Sequence, residues 1–248
     1  MRSFWGTSCA AALAAKFAAA IWTQDSSLRP ETVRGLIVHA ANWTNEQKTA
    51  FRGRKDDLLC VCGYGIPDFR IASSCVKSRA TMIFEDLIEG AKLNDNNKFE
   101  RSIKFFEVPV PEDLASFNEE VSLRVTLSYL AEPNGFRRKI SRGVDLAWRM
   151  QGPNESVDEF RARVNGETRK DLKKSGLKRS DTRDFNWEIG PQRRGRGTVQ
   201  SDRWTGPASF LASKKLIAVY PVNGWWDQRK EFKTKQQRFS LVVTVETE

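Results

Sequence analysis

The residues best placed to do chemistry stand at the front of the chain, in GTSCAAALAAKFAAAIW over residues 6–22, where Ser8 precedes a long run of small apolar side chains. A serine at the start of a helix has its own backbone N–H aimed at a developing oxyanion, with the positive end of the helix dipole behind it. Gly6 lets a substrate backbone come close. Gly6, Thr7 and Ser8 therefore suit a nucleophile and oxyanion segment for acyl transfer. The same stretch also reads as an export signal, because Arg2 precedes an apolar run that offers Ala-x-Ala cleavage sites. Lys16 interrupts that run, and neither side of it approaches the ~20 apolar residues that cross a bilayer. The remaining reactive side chains form no constellation. Cys60 and Cys62 have a single residue between them, which is not zinc-knuckle spacing, and the only histidine is the distant His39. No metal or cofactor is expected. Cys9, Cys60, Cys62 and Cys75 are too few and too irregular for a disulfide framework and suit reduced thiols in a cytoplasmic protein.

A chain of 248 residues with 40% apolar side chains can fill a sizeable core. The formal charge of +10 favours encounter with polyanions without naming a partner. After the alanine run, Pro30 suits a first helical turn, and Val33, Leu36, Ile37 and Ala40 fall on one helical face. Residues 46–57 are polar and expected in solvent. Gly63 and Gly65 permit a tight turn before Pro67, which is expected to start a short helix. From about residue 78 the period changes. Residues 121–130 alternate Val121, Leu123, Val125, Leu127 and Tyr129 against polar neighbours, and residues 238–247 repeat the pattern. Residues 215–222 are almost continuously apolar, as in a strand covered on both faces. TMIFEDLI, IKFFEVPVP, VDLAWRM and DFNWEIG are shorter strand candidates. The expected fold is thus α+β: helices over 1–78, then an antiparallel β-sandwich over 79–248 with a helical insertion. Ser156 and Glu159 form a capping box for that insertion. Its basic continuation over 161–184 reads as a solvated face, and nucleic acid is not an expected partner. Trp225 and Trp226 are expected to cap the sandwich beside a turn.

The Gly6-Thr7-Ser8 segment and its small-residue helix resemble the nucleophile segment of subtilisin-like serine peptidases. The order of the next two segments strengthens the likeness. Pro30, Val33, Ile37, Ala40 and Ala41 resemble the family's Pro-led helix, and Gly63, Gly65, Asp68 and Ala72 resemble its Gly-x-Gly-x-x-Asp turn and short helix. VTLSYLAEPN, GPQRRGRGTVQSDRW and IAVYPVNGWW are similar to the β-rich C-terminal extension of a bacterial branch often encoded beside an ATPase of the AAA class. The resemblance implies a serine endopeptidase with Ser8 as nucleophile, a peptide or protein substrate, an AAA-type ATPase as partner, and an intracellular setting without a membrane anchor. It places residues 1–78 in the C-terminal part of the peptidase domain, with the serine helix in mid-domain and buried all round. Ala12 stands where many secreted subtilisins have proline, and Cys9 replaces a usual Phe or Met. A subtilisin-like site needs Asp, His and Ser in that order, with an upstream Asn amide. Ser8 comes too early for these, and His39 stands after it, off the apolar face of its helix, as a surface or partly buried structural residue. Three readings stay open: a truncated peptidase chain inactive alone, a non-catalytic protein- or nucleic-acid-binding module, and one half of a split peptidase.

Overall fold

The computed structural model describes residues 6–77, 81–89, 92–93, 99–100, 102–108, 110, 120–133, 142–152, 155–168, 187–211, 215–222, 224–228 and 235–247. The first third is helical: α1 (Thr7–Trp22), α2 (Pro30–His39), α3 (Asn45–Ala50), α4 (Lys55–Cys62) and α5 (Phe69–Lys77), with a two-residue pair of β1 (Ala41–Asn42) and β2 (Ile66–Pro67). Next come the strands β3 (Thr81–Glu89), β4 (Lys92–Leu93), β5 (Phe99–Glu100), β6 (Lys104–Val108), β7 (Glu120–Ser128) and β8 (Leu146–Met150). Helices α6 (Val157–Thr168) and α7 (Pro191–Arg194) then precede β9 (Val199–Pro207), β10 (Lys215–Pro221) and β11 (Gln236–Thr247). Among the described residues no helix is long and apolar enough to cross a membrane.

The strands build two larger antiparallel sheets, one ordered β3-β11-β7-β9 and one ordered β6-β10-β8. The alternation in the sequence explains their shared core. Leu123, Val125 and Leu127 of β7 and Leu241 and Val243 of β11 point inward to meet Trp148 of β8 and Ile217 and Val219 of β10 in one apolar cluster. Strand β10 is covered on both faces, as its unbroken apolar run requires: Ala218 and Tyr220 turn the other way, onto Phe160 and Val164 of α6. The α6 capping box forms as expected, with Ser156 N donating to Glu159 Oε2 and Glu159 N to Ser156 Oγ. Trp226 is buried, and its indole N–H donates to Glu132.

Two local expectations fail. Pro67 lies in the β1–β2 pair, and α5 starts after it, at Phe69. The described end of DFNWEIG is a bend, not a strand, because Ile189 N and Gly190 N both donate to the Asp202 carboxylate instead of to a ladder. The basic stretch over 169–186 lies outside the described residues.

Strand β9 escapes a reading by hydrophobic period, since beside the buried Trp204 it buries three polar side chains, Gln200, Ser201 and Asp202. Each has partners that repay its desolvation. Gln200 donates to Leu146 O, and Asp202 also binds Arg194, a pair 3.0 Å apart with both side chains sealed from solvent. The Arg194 guanidinium lies 3.4 Å from the centre of the Trp148 ring. Removing one member of such a pair strands the other charge in a low-dielectric core. Asp202→Ala should therefore lower the unfolding free energy by about 3–5 kcal/mol. Arg193→Ala, which breaks the half-exposed pair with Asp56, should cost far less, since solvent screens that pair and Arg196 still reaches Asp56. Urea denaturation of the two variants measures the contrast.

Candidate functional site

Ser8 is the second residue of α1, and Gly6 stands at the N-cap with φ 135 and ψ 154 and no side-chain cap. A positive φ of that size is glycine territory, so Gly6 is fixed by the entry geometry of the helix. Ser8 is exposed, and among the described residues its hydroxyl has no hydrogen-bond partner. The helix is not buried all round: Ala10, Ala11, Ala12, Ala14 and Ala15 face solvent, and Leu13 is 63% exposed. Only the far end of α1 is anchored. Ile21 is fully buried, Phe17 meets Phe69 edge-on at 5.5 Å, and the Trp22 indole donates to Leu28 O.

The motif segments of the sequence do come together. Ile21 of α1, Val33 and Leu36 of α2, Ala40, and Ala72 and Cys75 of α5 form one cluster, closed by Val242 of β11. The helices therefore complete their core on the outer face of the four-stranded sheet. Gly65, at φ 98, passes so close to Asn42 that a Cβ there would sit 2.2 Å from the Asn42 carbonyl oxygen. Asp68 is fixed just beyond it: its N–H donates to Ala40 O, and its carboxylate accepts the Arg70 N–H at the start of α5. The Gly-x-Gly-x-x-Asp turn is thus a joint between α2 and α5.

His39 is placed differently from expectation. It is 2% exposed, between α2 and the sheet, with Nδ1 2.8 Å from Thr126 Oγ1 and Nε2 2.9 Å from Thr244 Oγ1. The reason is a polar strip on the sheet's outer face, which accepts an imidazole where an apolar face would not. Thr126 continues to Ser201 at 2.8 Å and Thr244 to Thr81 at 2.9 Å, so a hydrogen-bonded rung crosses all four strands. Burial, with the nearby Arg124 charge as a second cause, holds the imidazole well below its ordinary pKa. With both nitrogens engaged and no solvent access, this neutral histidine cannot serve the exposed Ser8 as a base.

Sequence reasoning misses a cavity of 350 Å³ on the same face, lined by Trp43, Lys48, Tyr64, Arg124, Ser201 and Arg203 among others. The available signal is Arg124 and Arg203 on half-buried strands, where an arginine has to find partners. From the sequence alone, both pass for ordinary outward-facing polar residues.

Residues 1–65 match the family model of the subtilase family. The match runs from the Ser8 segment through α2 to Gly65 and stops short of the two larger sheets. A search of curated proteins finds no match to the chain.

The state of His39 has a pH signature. Its folded pKa is depressed, so below the unfolded value near 6.5 the unfolded chain takes up a proton that the folded one refuses. The stability held above about pH 6.5 should fall as the pH drops, by up to about 1.4 kcal/mol per pH unit. His39→Gln should lack this component between pH 6.5 and 5, while sharing whatever the carboxylates contribute. Equal slopes in denaturant titrations of the two proteins would refute the assignment.

Proposed function

We propose that the chain is the nucleophile-bearing part of a subtilisin-like serine endopeptidase, with Ser8 as the residue acylated by a peptide or protein substrate. The observation that carries this reading is the position of Ser8. It lies at the exposed, glycine-capped start of an apolar helix inside the segment that matches the subtilase model. In this reading Ser8 Oγ attacks the scissile carbonyl, its proton passes to a histidine, and the peptide nitrogen leaves as the amine once the histidine returns that proton. Water then releases the acyl group. The Ser8 backbone N–H, at the positive end of α1, stabilises the oxyanion in both halves of the reaction.

The base, its aspartate and the second oxyanion donor come from polypeptide outside these 248 residues, because His39 is committed to the rung. The uncovered faces of α1 are where that polypeptide packs: the solvent-facing alanines and Leu13 form a surface that further chain would bury. All four cysteines are free, which supports a reducing compartment such as the cytoplasm. Without a base, Ser8 is an ordinary alcohol and a poor nucleophile.

A fluorophosphonate probe tests the reading. The 248-residue chain alone should show no labelling above Ser8→Ala. Adding a subtilisin-like Asp- and His-bearing segment, either fused ahead of residue 1 or as a separate polypeptide, should give labelling that Ser8→Ala abolishes. Labelling only in the fused form points to a single longer enzyme, and labelling in both forms allows a split one. Rapid Ser8-dependent labelling of the chain alone would mean that a base exists within it, and no labelling in any form would end the peptidase reading.

A further inference from the structure

On the outer face of the four-stranded sheet, β7 and β9 place two arginines directly opposite each other: Arg124 and Arg203 are paired in the strand register. Like charges in that position repel, so the arrangement costs stability unless something negative lies between or above them. Among the described residues, Glu188 and Glu246 act on Arg124 in the opposite sense, after the Arg203 charge in size. Arg124, largely buried, donates from Nε to Ser201 Oγ, from one terminal nitrogen to Asn42 Oδ1, and from the other to the Ala41 carbonyl. All three acceptors are neutral. Among the described residues, these bonds use three of the five N–H donors of the guanidinium and leave one on each terminal nitrogen. Burial, with the Arg203 charge next, pulls the Arg124 guanidinium down to about 10, as expected for a desolvated cation beside another. Among its contacts, Arg203 donates to the Ser122 hydroxyl and pairs with the half-exposed Glu246 at 4.0 Å.

Two acids, Glu188 and Asp202, line the cavity, and both have cationic partners of their own. Asp202 is bound by Arg194 and two backbone N–H groups. Glu188 is paired at the rim with Lys48, 3.3 Å away, while Lys55 donates to the Glu188 backbone carbonyl. The hollow therefore combines two arginines and the Ser201 and Thr205 hydroxyls with two carboxylates already paired to Lys48 and Arg194, and Trp43 stands on its wall. At 350 Å³ it has room for an anion and a small organic body attached to it.

We propose that this cavity is a binding site for a small doubly charged oxyanion, of phosphate or dicarboxylate type, held between Arg124 and Arg203. Paired guanidinium donors fit such oxygens bidentately, and the bound anion offsets the repulsion built into the register. The proposal does not depend on the peptidase reading, since it uses no residue of the Ser8 segment.

The test is calorimetric titration of the 248-residue chain with inorganic phosphate and, separately, with succinate, at an ionic strength held constant with sodium chloride. At least one anion should bind saturably at one site, and Arg203→Gln should weaken it tenfold or more. Arg70→Gln, at an exposed arginine of α5, should bind like the parent chain. The stronger of the two anions assigns the oxyanion class. Arg203 is half-buried, and circular dichroism checks that its variant is folded. Binding of neither anion, undiminished binding by Arg203→Gln, or equal weakening by Arg70→Gln would overturn the proposal.

Discussion

The contact on which the arrangement depends is the imidazole of His39 between two threonines of neighbouring strands. It joins Thr126 of β7 to Thr244 of β11, and through them Ser201 and Thr81 on the outer strands. A helix laid on a sheet is normally held by apolar area. Here apolar contact through Leu36 and Val242 is supplemented by side chains that satisfy one another in a dry interface. Arg34 adds to this by donating to Ser128 Oγ and to the backbone oxygens of Tyr129 and Thr198. Gly35 lets the two layers approach, since a Cβ there would meet Ser128 Cβ at 3.3 Å. Once α2 is fixed, the chain leaving it is fixed as well. Ala41 and Asn42 reach Arg124, Ala40 receives Asp68, and the glycine turn falls into place over Asn42.

Helix α1 shows what happens where that coupling ends. Its last turns share the cluster with α2 and α5, whereas its first turns lie in water with Ser8 at their head. The helix persists there because alanine has the highest intrinsic helix propensity and loses no side-chain entropy. The same composition gives close packing to any structure laid against it. A sequence rich in alanine thus serves both situations, and composition alone does not distinguish them.

Much of the fold is legible because its strands obey simple patterns. The alternation around Leu123, Val125 and Leu127 marks β7, and the unbroken run of Ile217, Ala218, Val219 and Tyr220 marks a strand covered on both faces. The Ser156 and Glu159 pair marks a helix start. The misses share a cause. Gln200, Ser201 and Asp202 of β9 and His39 are polar and buried, and a period in hydrophobicity is blind to side chains that hide by pairing with each other. The Ser8 segment is legible as a motif and as the start of a helix, but the exposure of that helix is not, because exposure depends on what packs against α1. The opposed arginines need the β7–β9 register, which links residues about 80 apart.

The strand order has a consequence in time. Strand β11 is central in its sheet, between β3 and β7, and it supplies Val242 and Thr244 to the underside of α2. His39 and Thr244 are separated by 205 positions. At ribosomal speeds of about 5–20 residues per second, α2 emerges roughly 10–40 s before its partner strand exists. During that interval the serine segment and its helices have no floor to rest on, and their apolar faces are open to whatever binds nascent chains. Contacts of such range also close slowly even in the finished chain, because loop entropy is lost before the sheet repays it. The structure thus makes the helical layer a late event in folding, licensed by a strand synthesised long after it.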